Sequence, residues 1–259
     1  MGPFAGLSEH TAVPPSPAPL PPYASLDLDD ARVVEVLSPF LADNRLARMR
    51  SVLDHRVEGV ALGLEDLHHL HNAAACLRTA EGMGVQDVVA VELRNPYPTT
   101  DPAQDAAQVS RITKSTPKWL SLHTLPCPDA LLSFARARGL AVWGAAPLGG
   151  RDIEALPTDR PVLVVFGNES SGLRPETLAA CDGTFRIPMF GFVESYNISV
   201  SVGMTLQALL PRVRARLAAE GRTGDLPHAR KTALMARWLY EDVRGAPQLL
   251  KQRLGAPVT

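Results

Sequence analysis

Three short stretches of this chain place reactive or ligand-binding side chains beside glycine-bearing turns: "HNAAACLRTAEGMG" (71–84), "FGNESSGL" (166–173) and "IPMFGFVESYNISVS" (187–201). Arg78 in the first is suited to an anion, because a guanidinium offers two parallel N–H groups to a phosphate or carboxylate. Asn72 beside it can donate and accept at once, Glu169 in the second stretch is an acceptor, and Ser195 and Asn197 in the third add a hydroxyl and an amide. Each also has an ordinary reading. Asn72, Ser195 and Asn197 are good helix caps, Arg78 can be a solvated helix residue, and Glu169 can neutralise a helix N-terminus. Other familiar signatures are missing. There is no GxGxxG, no GxxxxGK[ST] and no GxSxG in the chain, so dinucleotide, P-loop and serine-hydrolase chemistry lose their best support.

The elements that carry these stretches read as an alternation. "GVALGLEDL", "VQDVVAVEL", "LAVWGAA", "PVLVVFG" and "TFRIPM" are apolar strand-like runs, as buried parallel strands require. Between them come a helix capped by Asn72 and ending near Met83, "DALLSFARARG" ended by Gly139, and "PETLAACD" with proline in its first turn. A long helix runs from Asn197 to about Gly221. Strand–helix alternation predicts an α/β domain with a mostly parallel sheet, and ligands of such sheets sit beyond the carboxyl ends of the strands. The three polar stretches fall there. Ahead of them, "DNRLARMRSVLDHR" (43–56) puts Leu46, Met49, Val52 and Leu53 on one helical stripe, with Arg45, Arg48, Arg50 and Arg56 elsewhere on the helix. "TAVPPSPAPLPPYAS" (11–25) is too proline-rich for helix or central strand. The expected organisation is a disordered extension over 1–29, a helical segment over 30–56, a catalytic domain over 57–220 and a basic helical tail over 221–259.

The chain has 259 residues, 46% hydrophobic and 20% charged, the balance of a globular protein with a real core. The net charge of −1 hides an asymmetry: residues 211–259 hold ten basic and four acidic residues, and residues 1–30 hold no Lys or Arg. A basic end suits a polyanionic partner, nucleic acid first. Alternatively, "KTALMARWLY" packs on the core through Leu234, Trp238 and Leu239. Cys76, Cys127 and Cys181 show no CxxC or Cys/His ligand spacing, so neither a metal site nor a disulfide framework is expected. No apolar run reaches the roughly 18–20 residues that span a bilayer, and no signal-peptide pattern is present. A cytoplasmic protein without membrane contact is expected.

Taken together, "N-x5-R-T-x4-G", "VFGNESSGL" and "IPMxGxxxSxNxSV" resemble, in order and spacing, the three motifs of the SpoU-type (TrmH-like) RNA ribose methyltransferases of the SPOUT superfamily. The resemblance runs from about Asn44 to Glu220 and includes "KSTPKWL" (114–120) and "ARARGLAVWGAA" (135–146). It implies a deep C-terminal trefoil knot with helical terminal extensions, a homodimer, and S-adenosylmethionine bound by the knot's loops. Ala145, Gly167, Gly172, Ile187, Met189 and Tyr196 would line the cofactor pocket. Arg78 would act on the ribose 2′-OH with help from a substrate phosphate, Asn72 would fix Arg78 or that phosphate, and Glu169 would orient Arg78 or anchor its loop. Ser195 and Asn197 would hold the knot and shape the site. The wording "HNAAACLRT" and the basic extensions are most similar to enzymes that methylate tRNA at guanosine 18 of the D-loop. Ribosomal RNA is the alternative substrate, and an inactive RNA-binding protein is a third reading, disfavoured because all five polar motif residues are present. RNA would be held by Arg45, Arg48, Arg50, Lys118, Arg230 and Lys231. Two departures stand out: Tyr196 replaces the usual leucine, and "ESSG" replaces the usual acidic-plus-basic pair.

Overall fold

Every strand in the central sheet runs parallel to its neighbours. In a computed structural model, which describes residues 23–24, 28–94, 96–99 and 106–253, the strands are β1 (Val60–Glu65), β2 (Asp87–Val91), β3 (Ser121–Leu125), β4 (Ala141–Ala145), β5 (Arg151–Asp152), β6 (Val162–Phe166) and β7 (Gly183–Arg186). Their spatial order is β3-β2-β1-β6-β4-β7-β5. The inner strands β1, β2, β4 and β6 carry the apolar runs that burial on both faces demands. Leu62 of β1 sits opposite Val88 of β2 on one side and Val164 of β6 on the other. The first half of the chain thus builds outward from β1 in one direction and the second half in the other. The crevice at this switch point is where such sheets place ligands.

Both faces are covered. Alternate strand residues such as Val60, Leu62 and Leu64 pack under α3 (Leu70–Met83) and α7 (Ile198–Ala219). Residues of opposite parity, such as Ala61, Val89 and Val165, pack with α5 (Pro128–Ala137) and, at its margin, α6 (Pro175–Ala180). The period-two side-chain alternation of a strand sends each half of an apolar run to a different core. Helix α4 (Ala106–Thr113) and edge strand β3 are additions that the sequence pattern did not reveal. β3 reads "SLHTL" and is only partly buried, so it lacks the continuous apolar run of an inner strand. α3 begins earlier than expected: its N-cap position is His69, and Asn72 lies inside the first turn.

The two terminal segments, expected to be separate, form one helical cap. α1 (Asp30–Leu37) and α2 (Asp43–Asp54) share a core with α8 (His228–Asp242) and α9 (Ala246–Arg253), built from Val33, Leu37, Leu46, Met49, Leu53, Trp238, Leu239 and Leu250 among others. Tyr23, inside the stretch expected as an extension, is also buried there. Residues 11–22 and 25 of the proline-rich stretch lie outside the described residues. Arg56, expected on α2 away from its apolar stripe, lies just beyond the helix end and is fully buried. Its guanidinium donates to the carbonyls of Glu81 (3.0 Å) and Val85 (3.1 Å) and pairs with the Glu81 carboxylate at 2.9 Å. It also stacks over Trp238 at 5.9 Å. One side chain therefore ties α2, the end of α3 and α8 together.

Candidate active site at the carboxyl ends of the strands

The three polar stretches emerge from the ends of β1, β6 and β7, and a chain of hydrogen bonds joins them. Asn197, at the N-cap of α7, donates its amide to Asn72 Oδ1 at 3.0 Å, while its own oxygen accepts from Ser199 N at 2.9 Å and Ser199 Oγ at 2.7 Å. Asn72 in turn donates to Glu169 Oε1 at 3.0 Å. The backbone N–H groups of His68 and His69 reach the same carboxylate at 3.3 and 3.2 Å. Partial burial pushes the Glu169 pKa up, but the hydrogen bonds from Asn72 and from backbone N–H groups outweigh it and hold the carboxyl below its ordinary range. Glu169 is thus an ionised anchor between the first and second stretches.

Geometry of the second stretch follows from its two glycines and one asparagine. Asn168 and Gly172 exchange backbone hydrogen bonds of 3.1 and 2.9 Å, and the Asn168 oxygen accepts from Ser170 N at 2.9 Å. A Cβ on Gly167 would lie 2.0 Å from the carbonyl carbon of Gly172, so no other residue fits. Gly172 has φ of +67°, the left-handed region that glycine enters without a Cβ penalty. Asn168 Nδ2 also donates to the carbonyl of Asp66 at 2.7 Å, which fixes this turn to the end of β1. Asp66 and Asn168 carried no separate signal in the sequence, since neither the positive φ of Asp66 (54°) nor the long-range bond is a property of local pattern.

Not every expected partner is brought in. Arg78 is exposed and makes no hydrogen bond or ion pair among the described residues. Glu169 therefore does not orient it, and Asn72 spends its amide on Glu169 and Asn197 rather than on Arg78. Ser195 is exposed on the loop. Ala145 and Ile187 are partly buried against the main core, Gly167 is half-buried just after β6, and Met189 and Tyr196 are half-buried in the loop between β7 and α7. No charged side chain belongs to this set. That suits an uncharged heterocycle held by backbone groups. Among the described residues no cluster of His, Cys, Asp or Glu is arranged to hold a metal ion.

Four of the six cations expected to bind RNA are spent inside the protein. Arg45 and Lys118 both pair with Asp242, at 2.8 and 2.7 Å, and Lys231 pairs with Asp54 at 2.7 Å. Arg230 grips both oxygens of Asp87 at 2.6 and 2.7 Å and also pairs with Glu58. Asp87 is 1% exposed and meets His123 and Arg138 as well. Arg48 and Arg50 remain exposed without ion pairs among the described residues. Arg48 edges a groove of about 440 Å³ shared with His55, Arg56, Glu81 and Arg214. A second groove of about 570 Å³ runs along β3 beside Lys118, Arg237 and Glu241. Neither includes Asn72, Glu169 or Asn197. Convergence of the polar groups, rather than groove size, marks the site.

Residues 59–207 match the SpoU rRNA Methylase family. A tRNA (guanosine(18)-2′-O)-methyltransferase of Borreliella burgdorferi is 32% identical over 191 residues, covering 73% of this chain and 83% of that protein. The structure of the A. aeolicus TrmH/SpoU tRNA modifying enzyme superposes with a TM-score of 0.67 at 25% identity, over 78% of this chain and 98% of that one. The SpoU methyltransferase AviRb from Streptomyces viridochromogenes, solved in complex with AdoMet, shares the fold with a TM-score of 0.52 at 20% identity, over 64% of this chain and 59% of that one.

Proposed function

This chain belongs to the SpoU methylase family, and on that premise we propose that it methylates the ribose 2′-oxygen of a tRNA guanosine, position 18 of the D-loop, using S-adenosylmethionine. The observation that carries the reading is the Asn197–Asn72–Glu169 chain. It assembles all three motif stretches at the switch point of a parallel sheet and leaves Arg78 uncommitted. When bound, S-adenosylmethionine supplies a methyl group on a good sulfonium leaving group. Ala145, Gly167, Gly172, Ile187, Met189 and Tyr196 are the residues that would hold it. Arg78 offers only N–H donors and no acceptor for the ribose proton. Its role is a bidentate grip on the phosphate beside the target ribose, which orients the 2′-OH. Glu169, Asn72 and Asn197 keep the two strand-end loops in register with the arginine-bearing helix.

The trefoil knot and the homodimer belong to the same proposal. β7 inserts between β4 and β5, both earlier in the chain, an order that supports threading of the segment that follows it. Phe190 and Phe192 are fully exposed beside the site, and Val193, Val200 and Met204 are exposed on the same loop and the start of α7. An apolar patch of this kind marks an interface, and a second copy of the chain covers it. No helix among the described residues is long and apolar enough to cross a membrane, and a tRNA substrate places the work in the cytoplasm. The test is methyl incorporation into unmodified tRNA and ribosomal RNA with labelled S-adenosylmethionine. A 2′-O-methyl group mapped to guanosine 18 supports the reading. Incorporation into ribosomal RNA alone moves the substrate, and none into either ends it.

A further inference from the structure

We propose that Arg94, tethered by Asp66, is a second phosphate-gripping arginine at the mouth of the site; this rests on the RNA reading above. Asp66 follows β1 directly and is 3% exposed, in the left-handed backbone region with φ of +54°. Its N–H donates to Val91 O at the end of β2 at 2.8 Å, and its carbonyl accepts from Asn168 at 2.7 Å. A non-glycine residue in that region is costly unless its surroundings hold it there, and such residues gather at functional sites. Here the conformation aims the Asp66 carbonyl at the turn that carries Glu169. The carboxylate is left to accept from Arg94, through the backbone N–H at 2.9 Å and Nε at 2.7 Å.

That geometry uses one edge of the guanidinium and frees the other. The Arg94 side chain is 60% exposed, and its terminal nitrogens make no hydrogen bond among the described residues. A fork already fixed at Nε loses less rotamer freedom on gripping an anion than an untethered arginine does. Its position matters too. Arg94 leaves the carboxyl end of β2, next to the β1 end whose loop runs into Asn72. Most basic residues once expected to hold RNA are neutralised by Asp54, Asp87 and Asp242, so the cations at the site mouth have more of the work. The ligand chemistry is a phosphodiester of the RNA chain, gripped by the two terminal N–H groups.

The full chain is compared with Arg94→Gln and Arg94→Lys in three measurements: tRNA binding across a salt series, methyl transfer against tRNA concentration, and calorimetric affinity for S-adenosylmethionine. The expected result for Arg94→Gln is a loss of tRNA affinity and a rise in KM for tRNA of roughly tenfold, with a salt slope shallower by about 0.7–0.9. S-adenosylmethionine affinity stays as in the parent, and Tm falls by only a few degrees, because buried Asp66 loses its ion pair but keeps the Arg94 backbone N–H. Arg94→Lys keeps the charge without the fork and recovers the slope but only part of the affinity. Unchanged tRNA affinity and slope in both variants overturn the grip, even where the parent methylates tRNA normally. A lower Tm with lost cofactor affinity also overturns it, because Arg94 is then only a pin for its loop. Absence of methyl transfer by the parent, with its salt-dependent tRNA binding reduced in Arg94→Gln, retires the enzyme reading and leaves the grip standing.

Discussion

Arg230→Ala separates an RNA-binding arginine from a structural one. Arg230 lies on α8 with both terminal interactions turned inward, onto Asp87 at 2.6 and 2.7 Å and onto Glu58. Burial, aided by the nearby Arg237, pushes its pKa down to about 10, which still leaves it cationic at neutral pH. Asp87 is the vulnerable partner, being buried at the start of β2. Removing one partner of a buried pair costs about 3–5 kcal/mol when nothing replaces it. Asp87 keeps His123 at 2.8 Å and Arg138 at 3.1 Å, and Glu58 can rehydrate, so the cost falls to the lower end of that range or just below it, about 2–3 kcal/mol. For a chain of this length that is a fall in Tm of about 5–10 °C. A thermal melt by circular dichroism measures it, and tRNA binding over a salt series measures the alternative. The slope of log affinity against log salt is expected to stay that of the parent. A Tm within a degree of the parent, with a slope shallower by about 0.9, would falsify the structural assignment and return Arg230 to the RNA surface.

Arg78→Ala should lower methyl transfer by about 10²-fold, the scale of loss when a reacting group is no longer held in place. Tm and S-adenosylmethionine affinity should hold, since Arg78 is exposed and unpaired among the described residues; loss of cofactor binding in calorimetry would make it structural. Glu169 is held below its ordinary pKa of 4.5, so its contribution is present above that pH and disappears as pH falls through the lowered value. The advantage of the parent over Glu169→Gln should therefore be about 0.5–1 kcal/mol at neutral pH, after screening of a mostly exposed group, and vanish in urea melts at low pH. A difference that grows on acidification contradicts the hydrogen-bond account. Ending the chain after Gly221 removes Trp238, Leu239 and Leu250 from the cap and uncovers Val33, Leu37, Leu46 and Leu53. The shortened protein should aggregate or bind a hydrophobic dye, and a soluble product melting like the parent would show that the cap is dispensable.

Much of the fold could be read from local pattern. Continuous apolar runs at β1, β2, β4 and β6 needed only the burial demanded of inner parallel strands, and proline at the first position of α6 and asparagine just ahead of α7 marked two helix starts. β3 escaped because an edge strand buries too little to leave a clear apolar run. The site divides in the same way. Residue types and spacing in three stretches pointed to Asn72, Arg78, Glu169 and Asn197 and, by resemblance, to methyl transfer. What each does was decided between residues far apart in sequence. Asn72 looked like a cap and is instead the link between Glu169 and Asn197, at separations of 97 and 125 residues. Arg230 looked like a contact for RNA and is held by a buried carboxylate 143 residues earlier. A charged residue's type and spacing do not reveal whether water, a nucleic acid or a buried counter-charge will face it. Only the folded chain brings the partner, because desolvation and pairing depend on what packs across the sheet and not on the neighbours along it.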